Sequence, residues 1–128
     1  MDIGEQARAA AEALNRDDFD EFLDYMHPEV EFQSLIAEAD GGTFHGHDGV
    51  RRWWGGVRGA FQDVDWEYRR VDQRGAKAVC EVHIAGTLSG VDVRQTMWQV
   101  VEMRDGKAGW WRFFRTEEEA RAAAGFDQ

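Results

Sequence analysis

The stretch FHGHDGVRRWW (44–54) places His45 and His47 on either side of a glycine, with Asp48 directly after. Two histidines so spaced ligate a metal when an extended strand points both rings the same way and a third ligand converges on them. Here Gly46 interrupts any such strand, and a helical pattern begins at once, so the pair predicts a loop and a helix start, and no metal is expected. His45 could still carry a proton singly at the mouth of a pocket, with Asp40 or Glu38 from the preceding loop as its partner. Asp40 and His45 are therefore the candidate catalytic residues, although each also reads as a solvated loop side chain. Cys80 lies among apolar neighbours, which raise a thiol's pKa, and neither Ser34 nor Ser89 has a histidine at a predictable distance. The glycines of GVRRWWGGVRG fall within or after a helix and not between a strand and a helix, so they form no phosphate loop, and no cofactor is expected.

Positioning any of these groups requires a fold, and 128 residues suffice for one domain with a real core. Six Trp and eight Phe give that core aromatic walls. A formal charge of −10 repels phosphate backbones and anionic lipid, so neither nucleic acid nor a membrane is an expected partner. The N-terminus lacks the basic start and continuous apolar run of a signal peptide, which predicts a cytoplasmic protein. A lone Cys80 makes no internal disulfide and is most simply a small core residue.

Ile3, Ala7, Ala10, Ala11 and Leu14 share one helical face, and that helix should stop near Asn15. Asp17 and Asp18 can cap a second helix with an apolar stripe at Phe19, Phe22, Leu23 and Met26. Val30 and Phe32 alternate with Glu31 and Gln33 as a short strand, and SLIAEADGG (34–42) follows as a loop or a partly strand-like excursion. A third helix carries Val50, Trp53, Trp54, Val57 and Phe61. From Val64 the period changes to two, and turn signals near residues 72–75, 89–90 and 104–106 divide the rest into a meander of strands. Strands of about a dozen residues run to about 40 Å at ~3.3 Å per residue, too long to stay flat, so the sheet must coil. Thr116 with Glu119 opens a short last helix that ends at Gly125.

The expected class is thus α+β: three N-terminal helices packed on the concave face of a strongly curved, mainly antiparallel sheet, leaving a pocket. Alternation turns Cys80, Val82 and Ile84 inward, and a two-residue turn at Ser89 and Gly90 pairs them with Gln99, Met97 and Gln95. Gln95 and Gln99 then stand as polar groups on an apolar wall, bonded to their surroundings or orienting a ligand. At the last hairpin a three-residue turn, Arg104 to Gly106, faces Trp111 and Phe113 inward, whereas a two-residue turn would reverse them. Trp98, Val100, Trp110 and Phe114 fall on the outer face, where a homodimer, or helices and the C-terminal tail of the same chain, would cover them.

The order of elements, GHDGVRRWW at the third helix, EMRDGKAGWWRFFR in the last hairpin and EEARAAAGF at the end resemble the SnoaL-like branch of the nuclear transport factor 2 superfamily. The likeness covers nearly the whole chain and implies a cone-shaped α+β fold, commonly dimeric, shared by ketosteroid isomerase, polyketide cyclases, limonene epoxide hydrolase and scytalone dehydratase. Fold alone leaves function open. Aligned through LNRDD and the strand after Pro28, the isomerase's base falls on Ser34, its first-helix tyrosine on Ala10 and its acidic donor on Gln99, so that chemistry is disfavoured. Arg112 stands about where the epoxide hydrolase would place a carboxylate. The expectation is a small, largely apolar, cyclic or aromatic ligand walled by Phe32, Trp54, Trp111 and Phe113 and oriented by Ser34, Gln95 and Gln99. The rival expectation is a cone filled by its own aromatics that serves as a dimeric interaction module.

Overall fold

The computed structural model describes residues 2–34 and 43–126. Helices α1 (Ile3–Asn15) and α2 (Phe19–Asp24) lead into strand β1 (Met26–Gln33). Strand β2 (Thr43–His45) and helix α3 (Gly46–Ala60) come next, then β3 (Phe61–Arg74), β4 (Lys77–Leu88), β5 (Val91–Arg104), β6 (Lys107–Phe114) and helix α4 (Glu117–Ala124). The six strands form one sheet in the order β2-β1-β6-β5-β4-β3, antiparallel throughout except for the parallel pair β1 and β6.

Local chemistry fixes the helix ends. Asp2 and Glu5 bond reciprocally to each other's backbone N–H at the start of α1, and Asp18 accepts from Glu21 N at the start of α2. Thr116 caps α4 by accepting from Glu119 N, and Gly125 closes it with φ +75°, a conformation that side-chain-bearing residues resist.

The long strands coil as their length requires, and bulges show where. β3 gains an extra residue between Phe61 and Val64 and another between Tyr68 and Arg70 relative to β4. Each such insertion bends its strand and increases the local twist. At the first, the carbonyl oxygen of Asp63 lies 2.4 Å from where a β-carbon on Gly86 would stand, so the strand crosses there only because residue 86 is glycine.

The β4–β5 hairpin has the anticipated register: Leu88 faces Val91, Ile84 faces Gln95, Val82 faces Met97 and Cys80 faces Gln99. The last hairpin departs from expectation. Its turn has two residues, Asp105 and Gly106, both at positive φ, with Arg104 opposite Lys107. A bulge then follows, because Met103 pairs with Ala108 and Glu102 with Trp110, leaving Gly109 as the extra residue. Trp111 and Phe113 still point inward, opposite Val101 and Gln99. One bulged residue restores the parity that the shorter turn would have reversed.

The main core lies between α1–α3 and the concave face, with Trp53, Phe32, Met97, Val50, Val57 and Val82 essentially sealed from solvent. A second cluster occupies the outer face, where α4 and Phe126 bury Val79 and Val100 and pack against the half-buried Trp98, Trp110 and Phe114. Val100, expected to be exposed there, is 1% exposed, because the C-terminal helix of the same chain covers it.

Candidate functional site

A cavity of about 50 Å³ opens between α1, α2 and the concave face of the sheet. Half-buried Gln6, Ala7, Tyr25 and Met103 stand at its mouth, and Trp53, Trp66, Trp111, Phe113 and Gln99 close its buried end. Among the described residues that line it, none is Asp, Glu, His, Lys or Arg. Its polarity comes from a few neutral groups.

One of these is a side-chain pair. The Tyr68 hydroxyl donates to Gln99 Oε1 at 2.6 Å. Burial, together with the nearby Cys80 sulfur, holds the Tyr68 pKa far above the ordinary tyrosine value, against an opposing pull from the Gln99 bond. Tyr68 therefore keeps its hydroxyl proton at physiological pH and donates a hydrogen bond, with Gln99, 5% exposed, as its acceptor. Beside them the Cys80 thiol is pushed up to about 12 by burial, which removes it as a nucleophile.

The other polar groups are indole N–H donors. Trp53, Trp66 and Trp111 are 1%, 4% and 3% exposed, and none of their Nε1 atoms has a hydrogen-bond partner. The rings touch: Trp53 lies 5.7 Å from Trp66 and 5.6 Å from Trp111 between ring centroids. Phe32 stacks on Trp111 at 4.2 Å and meets Trp53 edge-on, so it forms the layer behind the cavity and not its lining.

The residues singled out in the sequence thus separate. Trp111, Phe113 and Gln99 meet at the cavity. Gln95 does not: it shares the inward face of β5, as expected, but is exposed. The reason is the end of the neighbouring strand: β6 stops at Phe114, opposite Trp98, so the stretch of β5 that holds Gln95 has β4 on one side and no β6 on the other. Trp54 is buried against Phe19 and Arg58 and lines a broader cleft of about 620 Å³ at the other end of the cone, beside Asp17, Asp63 and Asp92. That cleft is open and charged, with Asp17 and Arg58 paired across it. Ser34 is buried, 3% exposed, but outside the cavity lining.

His45 is exposed at the N-cap of α3 and makes no side-chain cap bond, while His47 Nε2 donates to the Met26 carbonyl at 3.0 Å. The two rings serve different surroundings. No three His, Cys, Asp or Glu among the described residues are placed to share a metal ion. Asp40 and Glu38 lie outside the described residues. On the outer face, Glu81 bridges His83 at 2.5 Å and Arg70 at 2.7 Å, and these bonds hold its carboxyl below the usual range.

Most of the lining was missed by sequence reasoning, the mouth residues Gln6, Tyr25 and Met103 as well as Trp53, Trp66 and Tyr68. Trp53 sits between Val50 and Val57 at the centre of the helical stripe, and that central position was the available signal. Trp66 and Tyr68 alternate with charged residues on β3, but carrying the inward face across from β4 misses them, because the extra residue between Tyr68 and Arg70 reverses the parity.

A curled six-stranded sheet whose concave face is closed by three helices around an apolar cavity defines a nuclear transport factor 2-like domain. Within that class the chain belongs to the SnoaL-like domain family, whose model matches residues 7–121. No curated protein sequence matches the chain. Among solved structures, the chain is similar to TerC co-crystallised with polyporic acid, at 22% identity over 94% of this chain and 95% of that one, with a TM-score of 0.78. A nuclear transport factor 2-like protein of unknown function from Burkholderia pseudomallei gives 20% identity, coverages of 97% and 98%, and a TM-score of 0.80. A protein of ketosteroid isomerase-like fold from Catenulispora acidiphila, in complex with trimethylamine, gives 14% identity, coverages of 96% and 94%, and a TM-score of 0.74. The sheet, the helices and the cone are what these likenesses establish. Among the described residues no helix is long and apolar enough to cross a membrane.

Proposed function

We propose that this chain binds a small, largely apolar molecule in the cavity between α1 and the sheet. The observation that carries this reading is an apolar cavity walled by Trp53, Trp66, Trp111 and Phe113 and carrying the Tyr68–Gln99 pair, aromatic surface with a polar handle. The mouth suits entry, because Met103 is unbranched and adaptable and Gln6 is held there only by a bond to the Gly106 carbonyl at 3.2 Å. The empty space is small, about 50 Å³ against the about 150 Å³ at which a dry apolar cavity takes up benzene. Binding a ring therefore displaces Met103, Gln6 or α1, and the ligand acts as a wedge.

Two of the similar structures contain a small molecule, TerC with polyporic acid and the Catenulispora protein with trimethylamine, and they support a cone that holds small molecules. With neutral groups alone in the described lining, acid/base catalysis would have to draw on His45 or the 35–42 segment that contains Asp40. A homodimer through the part of the outer face that α4 leaves uncovered around Trp98, Trp110 and Phe114 is checked by sedimentation of wild type against Trp98→Lys. A thermal-shift screen of small cyclic and aromatic compounds tests the binding reading, since a ligand of the native state raises Tm by mass action. The aromatic packing of Phe32, Phe44, Trp53 and Trp111 favours the second reading, a self-filled cone that acts as an interaction module. A library that produces no stabilising compound, with an interior that excludes xenon, would decide for the second.

A further inference from the structure

Away from the cavity, the outer face of the sheet holds a hydroxyl, an imidazole and a carboxylate in one hydrogen-bonded series. Thr96 Oγ1 lies 3.4 Å from His83 Nδ1, His83 Nε2 lies 2.5 Å from Glu81 Oε2, and Glu81 Oε1 accepts from Arg70 Nε at 2.7 Å. The strands place them: His83 stands directly opposite Thr96 in the β4–β5 ladder, and Glu81 lies two residues before His83 on the same face. The carboxylate decides the tautomer. Glu81, its pKa lowered first by His83 and then by Arg70, is ionised at neutral pH and can only accept, so a neutral His83 carries its proton on Nε2. Nδ1 keeps its lone pair, and the contact with Thr96 is a hydroxyl donating to a base. Thr96 is also within reach of solvent, being exposed where His83 and Glu81 are half-buried. Ser89 and Gly90, both at positive φ, make a two-residue turn, so Leu88 and Val91 exchange backbone hydrogen bonds. Thr96, an odd number of residues beyond Val91, therefore directs its N–H away from β4. On that side β6 ends at Phe114, opposite Trp98, and among the described residues no strand pairs with Thr96 there.

We infer that Thr96 is an acyl-accepting nucleophile for small activated esters, with His83 as its general base. In the step, Thr96 Oγ1 bonds to the acyl carbon and the bond from that carbon to the leaving oxygen breaks. The hydroxyl proton passes to His83 Nδ1 and from there to the leaving group, so the product is an ester of Thr96 and a free alcohol or phenol. The Thr96 N–H, which no strand occupies, donates to the oxyanion that develops. Glu81 acts through His83 as a positioning residue: it fixes the ring's tautomer and faces the imidazolium that forms, and Arg70 holds it in place.

The test incubates the full chain with p-nitrophenyl acetate, follows release of nitrophenolate and locates the acetyl group by peptide mass spectrometry. The expected product is an acetyl ester on Thr96, absent from Thr96→Val and retained by Thr96→Ser. Thr96→Val keeps the shape of an exposed strand residue, so loss of the adduct does not report loss of the fold. His83→Gln should slow the acetylation about a hundredfold, the low end of what a positioned base contributes. Glu81→Gln removes the charge facing the imidazolium, so the pH of half-maximal acetylation should move down. The other charged groups around this face, Glu67 and Arg70 on β3, Arg94 on β5 and Glu117 on α4, are the same in that variant. A midpoint that does not move would overturn the part given to Glu81. Acetyl groups found only on lysines or the N-terminus, or release by Thr96→Val as fast as by wild type, would overturn the assignment of Thr96. Acetyl carried by the His83 ring in Thr96→Val at the wild-type rate would make the imidazole the nucleophile and overturn it equally.

Discussion

Removing the Tyr68 hydroxyl tests the polar pair on the cavity wall. Tyr68→Phe keeps the ring and its packing but leaves Gln99 Oε1, previously bonded at 2.6 Å, without its donor. Because Gln99 is 5% exposed, water does not readily replace that donor, and the cost is that of a buried unsatisfied acceptor, about 1–3 kcal/mol. For a chain of this size about 3–5 °C of Tm follows each kcal/mol, so Tm should fall by about 3–15 °C. Gln99→Met fails in the complementary way, stranding the hydroxyl. The double variant Tyr68→Phe/Gln99→Met leaves neither group, so its loss should be about 1–2 kcal/mol smaller than the sum of the single losses. Urea denaturation of the four proteins at pH 7 measures this coupling. Additivity within about 0.5 kcal/mol would refute the reasoning, because groups that do not interact lose their contributions independently. The pair also predicts an alkaline limb. Since burial raises the folded pKa of Tyr68, its contribution is complete below the unfolded value of about 10 and is lost as pH rises beyond it. Tyr68→Phe should flatten that limb.

Gly86→Ala should destabilise the fold by about 1–3 kcal/mol or prevent folding, because its β-carbon would meet the Asp63 carbonyl at 2.4 Å; a melting curve equal to wild type would contradict the bulge at residues 61–64. Cys80, buried with its thiol pushed up to about 12, should react with a thiol reagent at pH 8 only after urea unfolding, and rapid labelling of the native protein would show the cone to be open. Glu81 has a lowered carboxyl pKa through His83 first and Arg70 second, so its contribution is present above about pH 4.5 and fades as pH falls through the folded value. Urea midpoints taken from pH 6 to pH 3 should therefore fall less steeply in Glu81→Gln than in wild type, and superimposable acid limbs would deny Glu81 this role.

How far the site could be read in the sequence depended on which physical rule governed each residue. Alternation along β4 and β5 is a local property, and it paired Cys80 with Gln99 and turned Trp98 outward without any knowledge of the fold. Burial is not local: Gln95 has the right face and the wrong place along the strand, because where β6 ends, at Phe114 opposite Trp98, decides how much of β5 has a neighbour on that side. The inward face of Trp111 was reached from a turn that does not exist. What parity constrains is the sum of turn and bulge residues, and a two-residue turn plus one bulge at Gly109 gives the same total as a three-residue turn. The second glycine of DGKAG marked the bulge: a β-carbon on Gly109 would stand 2.7 Å from that of Arg104. Tyr68 was beyond reach for a related reason. Its contact with Gln99 crosses β4 and follows the bulged segment of β3, so every insertion in β3 had to be counted before the two could be brought together. That also explains why the candidate chemistry moved. Titratable residues stand out in a sequence, and that drew the reading to His45 and Asp40; the described lining of the cavity holds no Asp, Glu, His, Lys or Arg, so no charge pattern along the chain marks it.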